Sequence, residues 1–151
     1  MLSCTVAVFS FSDSAWERGC GRRKGNEFDL DAIRERVSRG DIKVAAIQRS
    51  RGYAQRKSLY IDQIAEAVKV IKDACPDTVI MVDNCYGEFT EDREPTDVGA
   101  DVFVGSLMKN LGAGFALSGG YCVGGREVIA DIADRLTAPC VGKSLGSGKC
   151  R

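Results

Sequence analysis

The sequence predicts an α/β fold built on a mainly parallel sheet, and three observations carry that expectation. Short apolar runs of strand length recur along the chain without period-two alternation, as strands buried on both faces require. Amphipathic stretches with helical spacing stand between them. The two kinds of segment alternate, which calls for crossover connections and hence parallel pairing.

Residues 1–25, with a short apolar patch and then Gly, Cys and Arg without clean periodicity, read as a poorly determined lead-in, part of a strand without partners. They lack the basic start and longer apolar core of a secretory signal. From Phe28 the pattern becomes regular. Phe28, Leu30, Ile33 and Val37 recur at helical spacing and Gly40 is a natural stop. Val44–Ile47 is a buried strand, followed by the polar loop QRSRGYAQR. Ile61, Ile64, Ala65, Val68 and Ile71 mark a second helix, ended near Cys75-Pro76. Thr78–Val82, Val102–Val104 and Gly120–Val123 are three further strands, the last leading into a helix from Arg126 to Leu136. The glycine pairs 119–120 and 124–125 mark tight strand ends, because the G-x-G-x-x-G order is absent.

Composition narrows the function. The 21 basic and 21 acidic residues balance, so no field favours nucleic acid or an anionic membrane. No apolar run approaches the ~20 residues of a membrane span. The chain has no histidine, which excludes Ser-His-Asp and Cys-His catalysis. Seven cysteines without a C-x-x-C pair argue against a zinc site and for reduced, mostly buried thiols in a cytoplasmic protein.

The chemistry concentrates between Val82 and Lys109. Asp83 ends an apolar strand, Tyr86 stands three residues on, and Ser106-x-x-Lys109 follows the next strand. In open α/β sheets ligands sit at the carboxyl ends of strands, where these residues fall. A carboxylate can keep a pyridine nitrogen protonated, a phenol can meet a ring hydroxyl, and a lysine can attack an aldehyde. That attack needs an unprotonated amine, for which burial or nearby positive charge would lower the lysine pKa. Ser106 offers its hydroxyl to a phosphate. Gly87 lets the backbone turn where a side chain would obstruct. The loop carrying Arg49, Ser50 and Arg51 offers forked donors to a phosphate or a substrate carboxylate, or equally a solvated basic surface. Asp83 alone reads as a turn-capping acid, and a lone S-x-x-K motif as an exposed loop lysine. Their order along the chain is what gives them weight.

With those residues in place, AAIQRSRGYAQRKSL (45–59), VIMVDNCYGEFTE (79–91), EPTDVGADVFVGSLMKN (94–110), SGGYCVGG (118–125) and RLTAPCVGK (135–143) resemble the methionine gamma-lyase-like family, also called aluminium resistance proteins. That family sits in the cystathionine-metabolism branch of fold-type-I pyridoxal-phosphate enzymes. The resemblance implies the aspartate-aminotransferase-like fold, with residues 26–151 forming part of its mainly parallel large domain and no small C-terminal domain. It implies Lys109 as the Schiff-base lysine, Asp83 as the pyridine-nitrogen partner, Tyr86 as a ring contact and Ser106 as a phosphate ligand. It further implies pyridoxal 5'-phosphate as cofactor, elimination chemistry on a sulfur amino acid, and a homo-oligomer in the full-length form. The alternative is a truncated, non-catalytic remnant that at most binds the cofactor weakly.

Overall fold

A computed structural model describes residues 6–9, 17–18, 23–24, 27–52, 57–112 and 114–135. Residues 53–56 of the 48–56 loop, the end of the last helix at Leu136 and the RLTAPCVGK motif beyond Arg135 lie outside the described residues, as do Cys4, Cys20, Cys140 and Cys150. In chain order the elements are β1 (Val6–Phe9), β2 (Glu17–Arg18), β3 (Arg23–Lys24), β4 (Glu27–Phe28), α1 (Leu30–Val37), β5 (Val44–Gln48), α2 (Ile61–Ala74), β6 (Val79–Asp83), β7 (Val102–Ser106), β8 (Gly120–Gly124) and α3 (Arg126–Arg135).

Helix α1 starts two residues later than the apolar spacing suggests. Phe28 belongs to β4, and Asp29 caps the helix by accepting a hydrogen bond from the Ala32 amide at 3.1 Å. An Asp at this position satisfies an amide that has no partner inside the helix. Ile33 and Val37, one turn apart, are buried on its inner face, and Gly40 leaves the helix in a left-handed conformation (φ +75°). Helix α2 buries Ile61, Ile64, Ala67, Val68, Val70 and Ile71. It ends where expected, because Cys75 precedes Pro76 and is pushed into extended backbone.

The sheet runs β2-β1-β5-β6-β7-β8. Its centre is parallel, β5 pairing with β6 from Val44↔Val79 to Gln48↔Asp83, and β6 with β7 from Met81↔Val102 to Asp83↔Val104. The α/β class therefore holds, in mixed form, because antiparallel strands flank the centre on both sides. β1 lies antiparallel to β5, so part of the expected lead-in finds a strand partner. β8 lies antiparallel to β7 because only a loop with a short 3₁₀ turn (Asn110–Gly112) joins them. Without a crossover helix the chain has to return antiparallel.

Burial along the central strands alternates. Ala45, Ile47, Ile80 and Val82 are buried with α1 and α2 in one apolar cluster, while Val44, Ala46, Val79 and Met81 are half-buried. The expectation of equal burial on both faces is thus met on one face only. Each fully buried Ile or Val there stabilises the fold by about 1.5–3 kcal/mol. Asp101, just before β7, fastens the lower end: it accepts from the Ile80 amide at 2.6 Å and pairs with Lys72 of α2 at 2.8 Å. The carboxyl ends of β5 and β6 are level, β7 runs two residues past them, and the site forms there. No helix among the described residues is long and apolar enough to cross a membrane.

Candidate active site

Strand β6 delivers Asp83 to the sheet's carboxyl edge, between Gln48 of β5 and Val104 of β7. Its carboxylate accepts from the Cys85 amide at 3.1 Å, the local turn that Asp favours at strand ends. The chain then curls tightly: the Gly87 amide donates to the Asn84 carbonyl at 2.8 Å, and Tyr86 adopts φ +67°. This left-handed residue throws the Tyr86 ring outward, where it is 58% exposed.

Strand β7 delivers Ser106 beside β6. Its hydroxyl accepts from the Met108 amide at 3.3 Å, and its carbonyl accepts from the Lys109 amide at 3.3 Å. That turn swings Lys109 back across the sheet edge, so that Nζ lies 4.7 Å from the centre of the Tyr86 ring. The ammonium over the ring face gains a cation–π attraction of about 0.5–1 kcal/mol at such an exposed site. The Cys85 thiol neighbours both Lys109 and Asp83, and each of them shifts its titration. Asp83, Tyr86 and Lys109 thus come together as the sequence order suggests, with Ser106 at the base of the turn.

Electrostatics depart from the expected low lysine pKa. The hydrogen bond to Cys85 raises the Lys109 pKa above its ordinary value, with the charges of Cys85, Tyr86 and Asp83 adding to it and desolvation opposing. The side chains that act on it, Cys85, Tyr86 and Asp83, are all acids. Burial, followed by the Asp83 hydrogen bond, raises the Cys85 pKa, so this thiol stays protonated at neutral pH. Cys85 is the site member that sequence reasoning missed. It lay within the informative stretch, yet nothing in its spacing distinguished it from six other cysteines. Among the described residues Cys75 and Cys85 are half-buried and Cys122 is exposed, so the expected burial of thiols is not general.

Arg49 differs most from its expected use. The residue is only 2% exposed. Nε donates to the Leu59 carbonyl (3.4 Å), one terminal nitrogen to Asn84 Oδ1 (2.7 Å) and the Gly87 carbonyl (3.0 Å), and the other to Thr90 Oγ1 (3.4 Å) and Glu91 Oε1 (2.5 Å). All five guanidinium N–H groups are committed within the fold. In this arrangement Arg49 holds the loop after β6 and offers nothing to an outside anion. Asn84, fully buried, extends the clamp by donating to Glu94 at 2.7 Å, and Glu91 accepts from the first amide of α2 at 3.0 Å. Ser50 is half-buried and Arg51 exposed beside this clamp.

Fold and site together define an α/β protein with a lysine-bearing loop cluster at the carboxyl edge of a parallel sheet centre. The chain belongs to the methionine gamma-lyase family, whose model matches residues 20–149. An uncharacterised 33.9 kDa protein of Lactobacillus delbrueckii subsp. bulgaricus is 44% identical over 119 residues, covering 79% of this chain and 39% of the relative. The crystal structure of a candidate cystathionine beta-lyase involved in aluminium resistance from Clostridium acetobutylicum is 46% identical with a TM-score of 0.74, covering 79% of this chain and 29% of that one. A carbon–sulfur lyase involved in aluminium resistance from Clostridium novyi NT is 40% identical with a TM-score of 0.74, covering 80% of this chain and 28% of that one. The chain therefore spans well under half the length of these relatives.

Proposed function

We propose that this chain is the lysine-bearing part of the large domain of a fold-type-I, pyridoxal-phosphate-dependent carbon–sulfur lyase that acts on sulfur amino acids. The observation that carries the reading is Lys109 over the ring of Tyr86, three residues beyond Asp83 on the same strand-end loop. The residues present fit such a cofactor: a carboxylate, a phenol, a hydroxyl and an amine converge at the end of two adjacent parallel strands. Pyridoxal phosphate, when bound, supplies an electron sink for a substrate carbanion.

This chain's own groups have separable tasks. Asp83 holds a proton on the ring nitrogen, Tyr86 contacts the ring, and Ser106 donates its hydroxyl to the phosphate. Lys109 would hold the cofactor through its amine and would move the proton at the substrate α-carbon. Arg51, with Ser50, is proposed for the phosphate or the substrate carboxylate, since Arg49 is engaged elsewhere. A homo-oligomer of the full-length form belongs to the same proposal. The names of the relatives, lyases linked to aluminium resistance, support the reaction class.

The test is incubation of the purified chain with pyridoxal phosphate, borohydride reduction and peptide mapping. A label confined to Lys109 and abolished in Lys109→Ala is the expected result. Scattered or absent label would leave the chain as a non-catalytic piece of such an enzyme.

A further inference from the structure

Glu88 directly follows the tight turn at Gly87 and is buried, only 5% exposed. A carboxylate rarely sits so deep unless paired. One of its oxygens accepts from the Tyr121 hydroxyl at 2.7 Å, and the other is buried with no partner among the described residues. Tyr121 comes from β8, which is separated from β6 by the whole of β7. Its ring crosses β7 over Gly105, its register partner, where any Cβ would overlap the phenol. Phe103 meets the ring edge-on, with centroids 6.1 Å apart and planes at 81°. The ring is thus steadied by Phe103, admitted by Gly105 and pinned at its tip to Glu88.

We propose that Tyr121 is a positioning residue for the site, holding through Glu88 the loop that sets Asp83, Cys85 and Tyr86 against Lys109. The cofactor part of this proposal rests on the function proposed above, while the holding of the loop does not. Burial first, then the Glu88 hydrogen bond, pushes the Tyr121 hydroxyl far above its ordinary pKa, so it remains a donor throughout the working pH range. The pairing is asymmetric in a useful way. Loss of the hydroxyl leaves a buried carboxylate with no partner among the described residues, which favours movement of the loop into water.

Amide hydrogen exchange without cofactor reads the loop directly. In Tyr121→Phe, exchange at residues 84–89 should rise about tenfold or more, as expected for one lost hydrogen bond to a buried charged acceptor, with β5 to β7 unchanged. Glu88→Leu removes the acceptor without leaving a buried carboxylate, so it serves as the second variant where Tyr121→Phe does not fold, and it should loosen the loop similarly. Glu88→Gln keeps a carbonyl acceptor for Tyr121 and should restore wild-type exchange. Reductive labelling of Lys109 by pyridoxal phosphate should fall about tenfold in the first two variants and recover in the third. Unchanged loop exchange in Tyr121→Phe and Glu88→Leu overturns the proposal, and so does raised exchange with wild-type labelling. If the wild-type chain itself takes no label at Lys109, the cofactor reading fails instead, and the exchange result alone decides whether Tyr121 holds the loop.

Discussion

Gly87 and Arg49 approach so closely that a Cβ on Gly87 would lie 2.6 Å from Arg49 Cδ and 2.7 Å from Nη1. The guanidinium of one strand end runs through the space that any larger residue would occupy on the loop of the next. The loop carrying Tyr86 closes because residue 87 has no side chain.

Gly87→Ala should therefore shift either Arg49 or the loop. Forcing a methyl into a filled site costs about 1–3 kcal/mol, seen as a lower denaturation midpoint with the slope unchanged. A variant as stable as the wild type would show that the contact is not tight.

Arg49 itself offers a sharper test. Arg49→Ala leaves Glu91, Asn84 and the Gly87 carbonyl without their shared donor, and breaking a buried pair costs about 3–5 kcal/mol. Arg49→Lys retains the charge but brings three donors to a place built for five. It should recover only part of that loss in equilibrium unfolding. If lysine matched arginine, charge alone would account for the clamp and the forked geometry would be incidental.

Removal of Cys85 should change the pH at which Lys109 reacts. The Cys85 hydrogen bond is the first cause of the raised lysine pKa, with Tyr86 and Asp83 contributing further. Because the folded value is raised above the ordinary 10.5, the stability this ammonium contributes is fully present below that pH. It is lost as pH rises through the folded value. In Cys85→Ala the amine should deprotonate at lower pH, though Asp83 and Tyr86 keep the shift partial. The pH profile of the initial rate of reductive labelling measures this, and an unmoved or upward-shifted profile would refute it.

The sequence made the central strands legible because Val44–Ile47, Thr78–Val82 and Val102–Val104 are short apolar runs bounded by turn residues. The order Asp83, Tyr86, Ser106, Lys109 was legible for a related reason: residues at consecutive parallel strand ends are neighbours in space. Other features were not. Nothing in the letters around Gly120 says that β8 returns antiparallel, since this depends on how the chain from Leu107 to Gly119 turns. Arg49 read as a free cation because its acceptors, Asn84, Gly87, Thr90 and Glu91, lie 35 to 42 residues away. Tyr121 and Glu88 stayed invisible for the same reason, being 33 residues apart. One-strand periodicity reports burial well, but it cannot report which buried polar groups meet.

Tyr86 separates backbone strain from function. Its left-handed φ of +67° costs a non-glycine residue about 1–3 kcal/mol, and its exposed ring buries too little to offset that. Tyr86→Gly relieves the strain but raises the entropy of the unfolded chain by about 0.4–1 kcal/mol and forfeits the contact with Lys109. These effects oppose one another, so its stability should stay within about 1 kcal/mol of the wild type. Tyr86→Val keeps the left-handed requirement with a β-branched side chain that tolerates it poorly, and should cost more than Tyr86→Gly in thermal unfolding. Labelling of Lys109 by pyridoxal phosphate should fall in both variants, since both lack the ring. A fall only in the valine variant would assign the effect to a distorted loop, whereas equal loss in the stable glycine variant assigns it to the missing phenol.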